Sequence, residues 1–150
     1  MKYSILFFLI TPLLLFCSTP EKMNEPISTN EITLSEGWAR PSKSGMMSAA
    51  YFKLNNGTTI SDTLLSIESD VSSNTQIHLS FQNEEGLMSM EEQKYVLLSA
   101  QSKVEFKQGG LHVMIIQPDQ DLIEGDSLSL KLHFSSSIEL IAKIPIRSVN

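Results

Sequence analysis

Thiols are what this chain lacks most: Cys17 is the only cysteine in 150 residues. Disulfides, thiol redox chemistry and thiolate metal sites are therefore closed to everything beyond that position. A second apolar run is missing as well. The run from Ile5 to Phe16 is too short to cross a ~30 Å hydrocarbon layer comfortably, and no later stretch is of spanning length, which excludes a multi-span membrane protein. No segment sustains the three-four spacing of an amphipathic helix. Positive charge is scarce, with 11 Lys and Arg against 17 Asp and Glu and a net charge of −6, so no nucleic-acid partner is expected. Neither an acid–base dyad, an activated nucleophile nor a phosphate loop stands out, and an enzyme is not expected.

What is present divides the chain into three parts. Residues 1–17 read as an export signal, with Lys2 ahead of an apolar run that stops at Cys17. The polar residues that follow give this junction a resemblance to a bacterial lipobox, with Phe16 where a small residue is usual. That resemblance implies cleavage before Cys17, acylation of its thiol and new amino group, and anchoring through buried methylenes at ~0.8 kcal/mol each. The protein is then extracytoplasmic and lipid-anchored to a bacterial membrane, on the periplasmic side or the cell surface. Residues 18–31 are polar, contain Pro20 and Pro26, and read as a flexible tether. Residues 32–150 form one domain.

That domain is read as all-β, because short alternating stretches recur between turn signals. Strands are predicted at Ala50–Leu54, Leu64–Ser69, Gln76–Phe81, Tyr95–Leu98, Lys103–Phe106, Leu111–Ile116, Ser127–Phe134 and Ile138–Ile146. Asn55-Asn56-Gly57, Gly109-Gly110 and Glu124-Gly125-Asp126 supply turns, the first through a positive φ at Gly57. Asn56-Gly57-Thr58 also matches a glycosylation sequon but is read as a turn. So many short strands pack most economically as an antiparallel sandwich.

Alternation also says where unusual side chains point. If Leu111, Val113 and Ile115 face the core, His112 and Met114 share the opposite face, starting roughly 6–7 Å apart. The same rule, with Ile77, Leu79 and Phe81 inward, puts His78 outward. Met88 and Met90 share one face if their stretch is extended, and either one can be the donor. Methionines on the polar side of strands are poorly explained as packing. Imidazole with thioether, free of carboxylate and thiolate, is a soft to borderline donor set that suits Cu(I), whereas zinc prefers cysteine or further histidines. Met46 and Met47 could shield or supplement a copper ion but are read as packing at a strand entry, Trp38 is read as a core anchor, and His133 as solvated on the polar face with Ser129 and Lys131.

The spacing His78, Leu79, ten residues, Met90, twenty-one residues, His112-Val113-Met114 resembles the H(M)-x10-M-x21-H-x-M signature of the periplasmic copper chaperones of the PCuAC family. Trp38-Ala39-Arg40-Pro41, Ala49-Ala50-Tyr51-Phe52, Gly109 to Met114 and Leu122 to Asp126 resemble that family's marked segments, over about Ile32 to Pro145. The resemblance implies a cupredoxin-like β-sandwich or Greek-key barrel holding one Cu(I) at His78, Met90, His112 and Met114. It also implies delivery of copper to a receiving protein, such as a cytochrome c oxidase subunit or a thiol-bearing assembly factor. Copper buffering or uptake is a variant of that role, and a metal-free lipoprotein acting in adhesion or assembly is the alternative. An electron-transfer cupredoxin needs a thiolate that the domain does not possess.

Overall fold

The computed structural model describes residues 30–148. The expected signal segment with Cys17, and the tether up to residue 29, lie outside the described residues. Ten strands follow one another: β1 (Ile32–Ala39), β2 (Ser48–Asn56), β3 (Asp62–Ser69), β4 (Asn74–Gln82), β5 (Met88–Glu92), β6 (Val96–Leu98), β7 (Ser102–Phe106), β8 (Leu111–Ile116), β9 (Ser127–Phe134) and β10 (Glu139–Pro145). There is no helix among the described residues. One sheet runs β1-β2-β8-β4-β5, with β7 pairing β2 beyond the reach of β8, and the other runs β10-β9-β3-β6. All strand pairs are antiparallel. The expected two-sheet β-sandwich is the architecture found.

The core lies between the sheets. β9 shows the cleanest alternation, burying Leu128, Leu130, Leu132 and Phe134 while Ser129, Lys131 and His133 point outward. Opposite it stand Ala50, Phe52 and Leu54 of β2, Val113 and Ile115 of β8, and Ile77 of β4. Burying alternate residues removes apolar area from water at about 25 cal/mol per Å2, the main term holding the sheets together. β2 departs from alternation, because Ala49 and Tyr51 are buried too. Its second face is covered by side chains of the candidate site.

Three local readings are corrected. Gly57 is not among the positive-φ residues. The loop after β2 is shaped instead by the fully buried Asn56, whose Nδ2 donates to the carbonyls of Ile60, Leu98 and Ser99 and whose Oδ1 accepts from Thr58. With its amide nitrogen committed in this way, the sequon is a turn. Phe81, expected inward, is exposed, since it sits near the end of the β4–β5 hairpin, beyond the cover of the second sheet.

Trp38 is the third, and it is not part of the buried core. The pairing of β1 with β2 runs from Ile32↔Asn56 to Ser35↔Lys53, then slips by one residue to Trp38↔Tyr51. A one-residue slip moves a side chain to the other face of a sheet. In the original register Trp38 would oppose Ala50 and point inward; the bulge, with Glu36 at φ 54°, puts it beside Tyr51 on the outer face. Gly37 sits within the bulge because a Cβ there would lie 2.4 Å from Cγ2 of Ile144.

One buried carboxylate ties the second sheet to its own loops. Asp62, at the start of β3, accepts from the N–H of Thr63 (2.7 Å), the N–H of Ser136 (3.2 Å) and the hydroxyls of Ser135 and Ser136. Burial alone would push its pKa up, but these hydrogen bonds outweigh it and hold the carboxyl below the usual carboxylate range. A depressed folded pKa gives stability that is complete above the unfolded value, about 3.9, and is lost as pH falls through the folded one. Urea midpoints taken from about pH 5 downward should therefore fall for the wild type, and fall less steeply for Asp62→Asn.

Candidate metal centre

β8, β4 and β5 lie side by side, so residues on their shared outer face can meet. His78 of β4 and His112 of β8 are direct cross-strand partners, with ring centroids 6.0 Å apart and planes tilted by 43°. Two residues along β8, Met114 opposes Gln76 of β4 on one side and Ala49 of β2 on the other. Met90 of β5 opposes Ser80 of β4, two residues from His78 and on the same face. Ser80 is small, which leaves the space above it open for the thioether of Met90. Met88 lies one step further out, opposite Gln82.

A cavity of about 730 Å3 opens on this face, and Met90, His112 and Met114 line it. His78 and Met88 do not line it. His78 stands behind His112, reached through the ring-to-ring contact, while Met88 points to solvent at the sheet edge. Exposure changes sharply across the cavity. His112 is only 5% exposed, although it faces away from the core, because Tyr51 (ring centroid 6.4 Å away) and His78 flank it. Met90 is 58% exposed. One side is therefore covered, and the other open.

The hydrogen bonds of the two rings set which nitrogens are available. Nδ1 of His112 lies 3.0 Å from the carbonyl oxygen of Gly110. A carbonyl only accepts, so Nδ1 carries the proton and Nε2 keeps its lone pair. Nε2 of His78 donates to Oε1 of Gln76 at 3.0 Å, and its Nδ1 is buried without a partner. Each imidazole thus has one nitrogen tied down and the other free to bind a cation, the arrangement that orients metal-binding histidines. An unpartnered buried nitrogen costs roughly 1–3 kcal/mol, and a cation would recover it. No cluster of three or more His, Cys, Asp or Glu occurs among the described residues, so the face has soft nitrogen and sulfur donors without a hard carboxylate cage.

The remaining wall contains residues that sequence reasoning placed elsewhere. Trp38 packs against Tyr51, with ring centroids 4.6 Å apart and planes tilted by 37°, and lines the cavity. Met46 and Met47 are each 64% exposed, so neither packs at the entry of β2, and Met47 lies on the cavity wall. The position of Tyr51 was open to inference, since Ala50, Phe52 and Leu54 alternate inward around it; that of Trp38 was not, because the bulge leaves no signature in residue types. His133 lies far from this face. Partly exposed on the outward face of β9, it sits between Glu68 (3.2 Å) and Glu139 (3.3 Å) on the second sheet.

A family model for LpqE-like lipoproteins matches residues 32–146. The chain belongs to the LpqE-like family. This LpqE-like chain is 32% identical to uncharacterized protein RP573 of Rickettsia prowazekii (strain Madrid E) over 118 residues, covering 75% of the chain and 65% of that relative's length. Among solved structures it resembles the copper-bound PCuAC domain from PmoF2, with a TM-score of 0.65 at 18% identity over 79% of this chain and 94% of that one. The apo PCuAC domain from PmoF1 gives 0.64 at 21% identity over 79% and 95%. Cu(I)-DR1885 from Deinococcus radiodurans gives 0.59 at 15% identity over 83% and 85%. The LpqE-like chain therefore has the fold of PCuAC domains, as the sequence resemblance implied.

Proposed function

We propose that this protein is an extracytoplasmic copper carrier that holds one Cu(I) between His78, Met90, His112 and Met114 and passes it to another protein. The observation that carries this reading is the facing pair of imidazoles, each with a free nitrogen, on the same sheet face as two thioethers. Support also comes from the fold shared with a copper-bound PCuAC domain and with Cu(I)-DR1885. Thioether sulfur has no proton to lose, so the methionine half of the site holds its donors in acidic or oxidising surroundings.

Transfer follows from the asymmetry of exposure. His112 and Met114 hold the ion from the covered side, while Met90, on the open side, is the donor most easily displaced. An incoming thiolate or imidazole of a receiving protein bonds to copper as the Met90–copper bond breaks, with no change in oxidation state. A thiol-bearing assembly factor or an oxidase subunit, as in cytochrome c oxidase assembly, has the required chemistry. Acylation at Cys17 would keep the carrier beside such a membrane-bound recipient.

Competition against a chromophoric Cu(I) chelator tests the reading: it requires one equivalent bound, and only weak background binding would favour a metal-free adhesion role. The same titration separates the two hairpin methionines. Met90→Leu should weaken binding by about tenfold, close to 1.4 kcal/mol, while Met88→Leu should leave it within about twofold. The reverse order would assign the ligand to Met88.

A further inference from the structure

The chain has only two arginines, Arg40 and Arg147, and both line the cavity that holds Met90, His112 and Met114. They arrive from opposite ends of the domain. A parallel bridge pairs Ala39 with Ile146, and the next residues lock the junction: the N–H of Arg147 donates to the carbonyl of Ala39 (2.9 Å) and that of Arg40 to the carbonyl of Ala49 (2.9 Å). The hydroxyl of Ser48 donates to the carbonyl of Arg40 at 2.6 Å. Both guanidinium groups thus spring from a fixed backbone at the rim of the site. The Arg147 guanidinium lies over Trp38, its carbon 5.3 Å from the ring centroid. A guanidinium held over a ring face by cation–π attraction still has N–H groups to offer an anion.

Among the described residues, no carboxylate neutralises this pair. No Asp or Glu lines the cavity, and the salt bridges of the described residues engage lysines and His133 only. Glu124, which approaches Ser148 from the neighbouring turn, is held by the N–H (3.2 Å) and hydroxyl (2.9 Å) of that residue. In a chain of net charge −6, concentrating both arginines without a carboxylate beside soft metal donors creates a local positive field against the global one.

We infer that Arg40 and Arg147 form an anion site at the mouth of the cavity, and that it receives side-chain carboxylates from an acidic segment of the protein that exchanges copper with this chain. This rests on the copper reading above. Guanidinium forks match carboxylates in a bidentate manner, with a directionality that lysine lacks. Neutral imidazole and thioether donors leave a bound Cu(I) its full positive charge, so the loaded cavity attracts an acidic segment more strongly than the empty one. Elsewhere the negative surface repels such a segment, which confines docking to the rim where ligand exchange must occur.

The test uses a dye-labelled peptide of alternating glutamate and glycine, its glutamine counterpart and citrate, with the full chain loaded with Cu(I) or empty. The acidic peptide should bind, more tightly to the loaded form and more weakly as salt is raised, while the glutamine peptide should not. Arg40→Gln with Arg147→Gln should lower its affinity by about tenfold or more while Cu(I) affinity stays within about twofold; replacing both by lysine should restore part of it. Equal binding by wild type and double variant, equal binding of the glutamine peptide, or binding of citrate alone would overturn the proposal. Arginine-dependent peptide binding to a wild type that takes up no Cu(I) would support the anion site while refuting the copper reading.

Discussion

His112→Ala should lower Cu(I) affinity by at least about a hundredfold, more than is usual for losing an outer-shell partner of a metal ligand. The ring is the one candidate donor that is buried, oriented by a backbone carbonyl and in contact with the other imidazole, so its loss removes a ligand and frees its neighbour together. Burial of this outer-facing ring also means that truncation has a structural cost, about 1–3 kcal/mol, because Tyr51 and His78 lose a neighbour. The domain should stay folded, since Val113 and Ile115 on the core face of β8 are untouched. Chelator competition gives the affinity and urea unfolding of the apo protein gives the stability. A control is available in His133→Ala, which removes an imidazole from the second sheet and should leave copper binding unchanged. Equal affinity losses in the two variants would show that the effect is not one of ligation.

How far these features could be read from residue order depended on how each strand is covered. β8 and β9 appear with the predicted bounds, because one face of each meets the core and the other does not, and a half-buried strand carries a period of two. The shared face of His112 and Met114 follows from the same period. β2 carries the period only in part, since Ala49 and Tyr51 are buried beneath the site as Ala50 and Phe52 are buried in the core. β1 carries none that points to Trp38, because a bulge resets the register midway and pairing is a long-range property. The arginine rim was further from reach: it depends on a bridge between Ala39 and Ile146, residues that share no local pattern. Donor chemistry is written into residue types, while the walls of a cavity are written into topology. The readings of Met46, Met47 and Trp38 as packing failed for that reason.

Phe52→Ala should have the largest effect on stability, about 3–5 kcal/mol out of the 5–15 typical of a whole domain. Phe52 and Phe106 are each 2% exposed and stack with centroids 4.3 Å apart across the β2–β7 pair. Truncation removes the ring and leaves a cavity that Phe106, held by its own strand, cannot fill. β2 is also the strand that joins β1, β7 and β8, so the loss falls on the element to which most of the first sheet is hydrogen-bonded. Urea unfolding should show a lower midpoint with little change in slope, the sign of lost packing rather than a changed unfolded state. Ile141→Ala, at a 69%-exposed position on β10, should stay within about 0.5 kcal/mol of wild type. Copper affinity under native conditions should respond weakly to Phe52→Ala, because the ring lies on the opposite face of β2 from Tyr51, and the two imidazoles are oriented by hydrogen bonds to Gln76 of β4 and to Gly110 just before β8. A large loss of both would mean that the core of β2, and not the local bonding of each histidine, holds the site in shape.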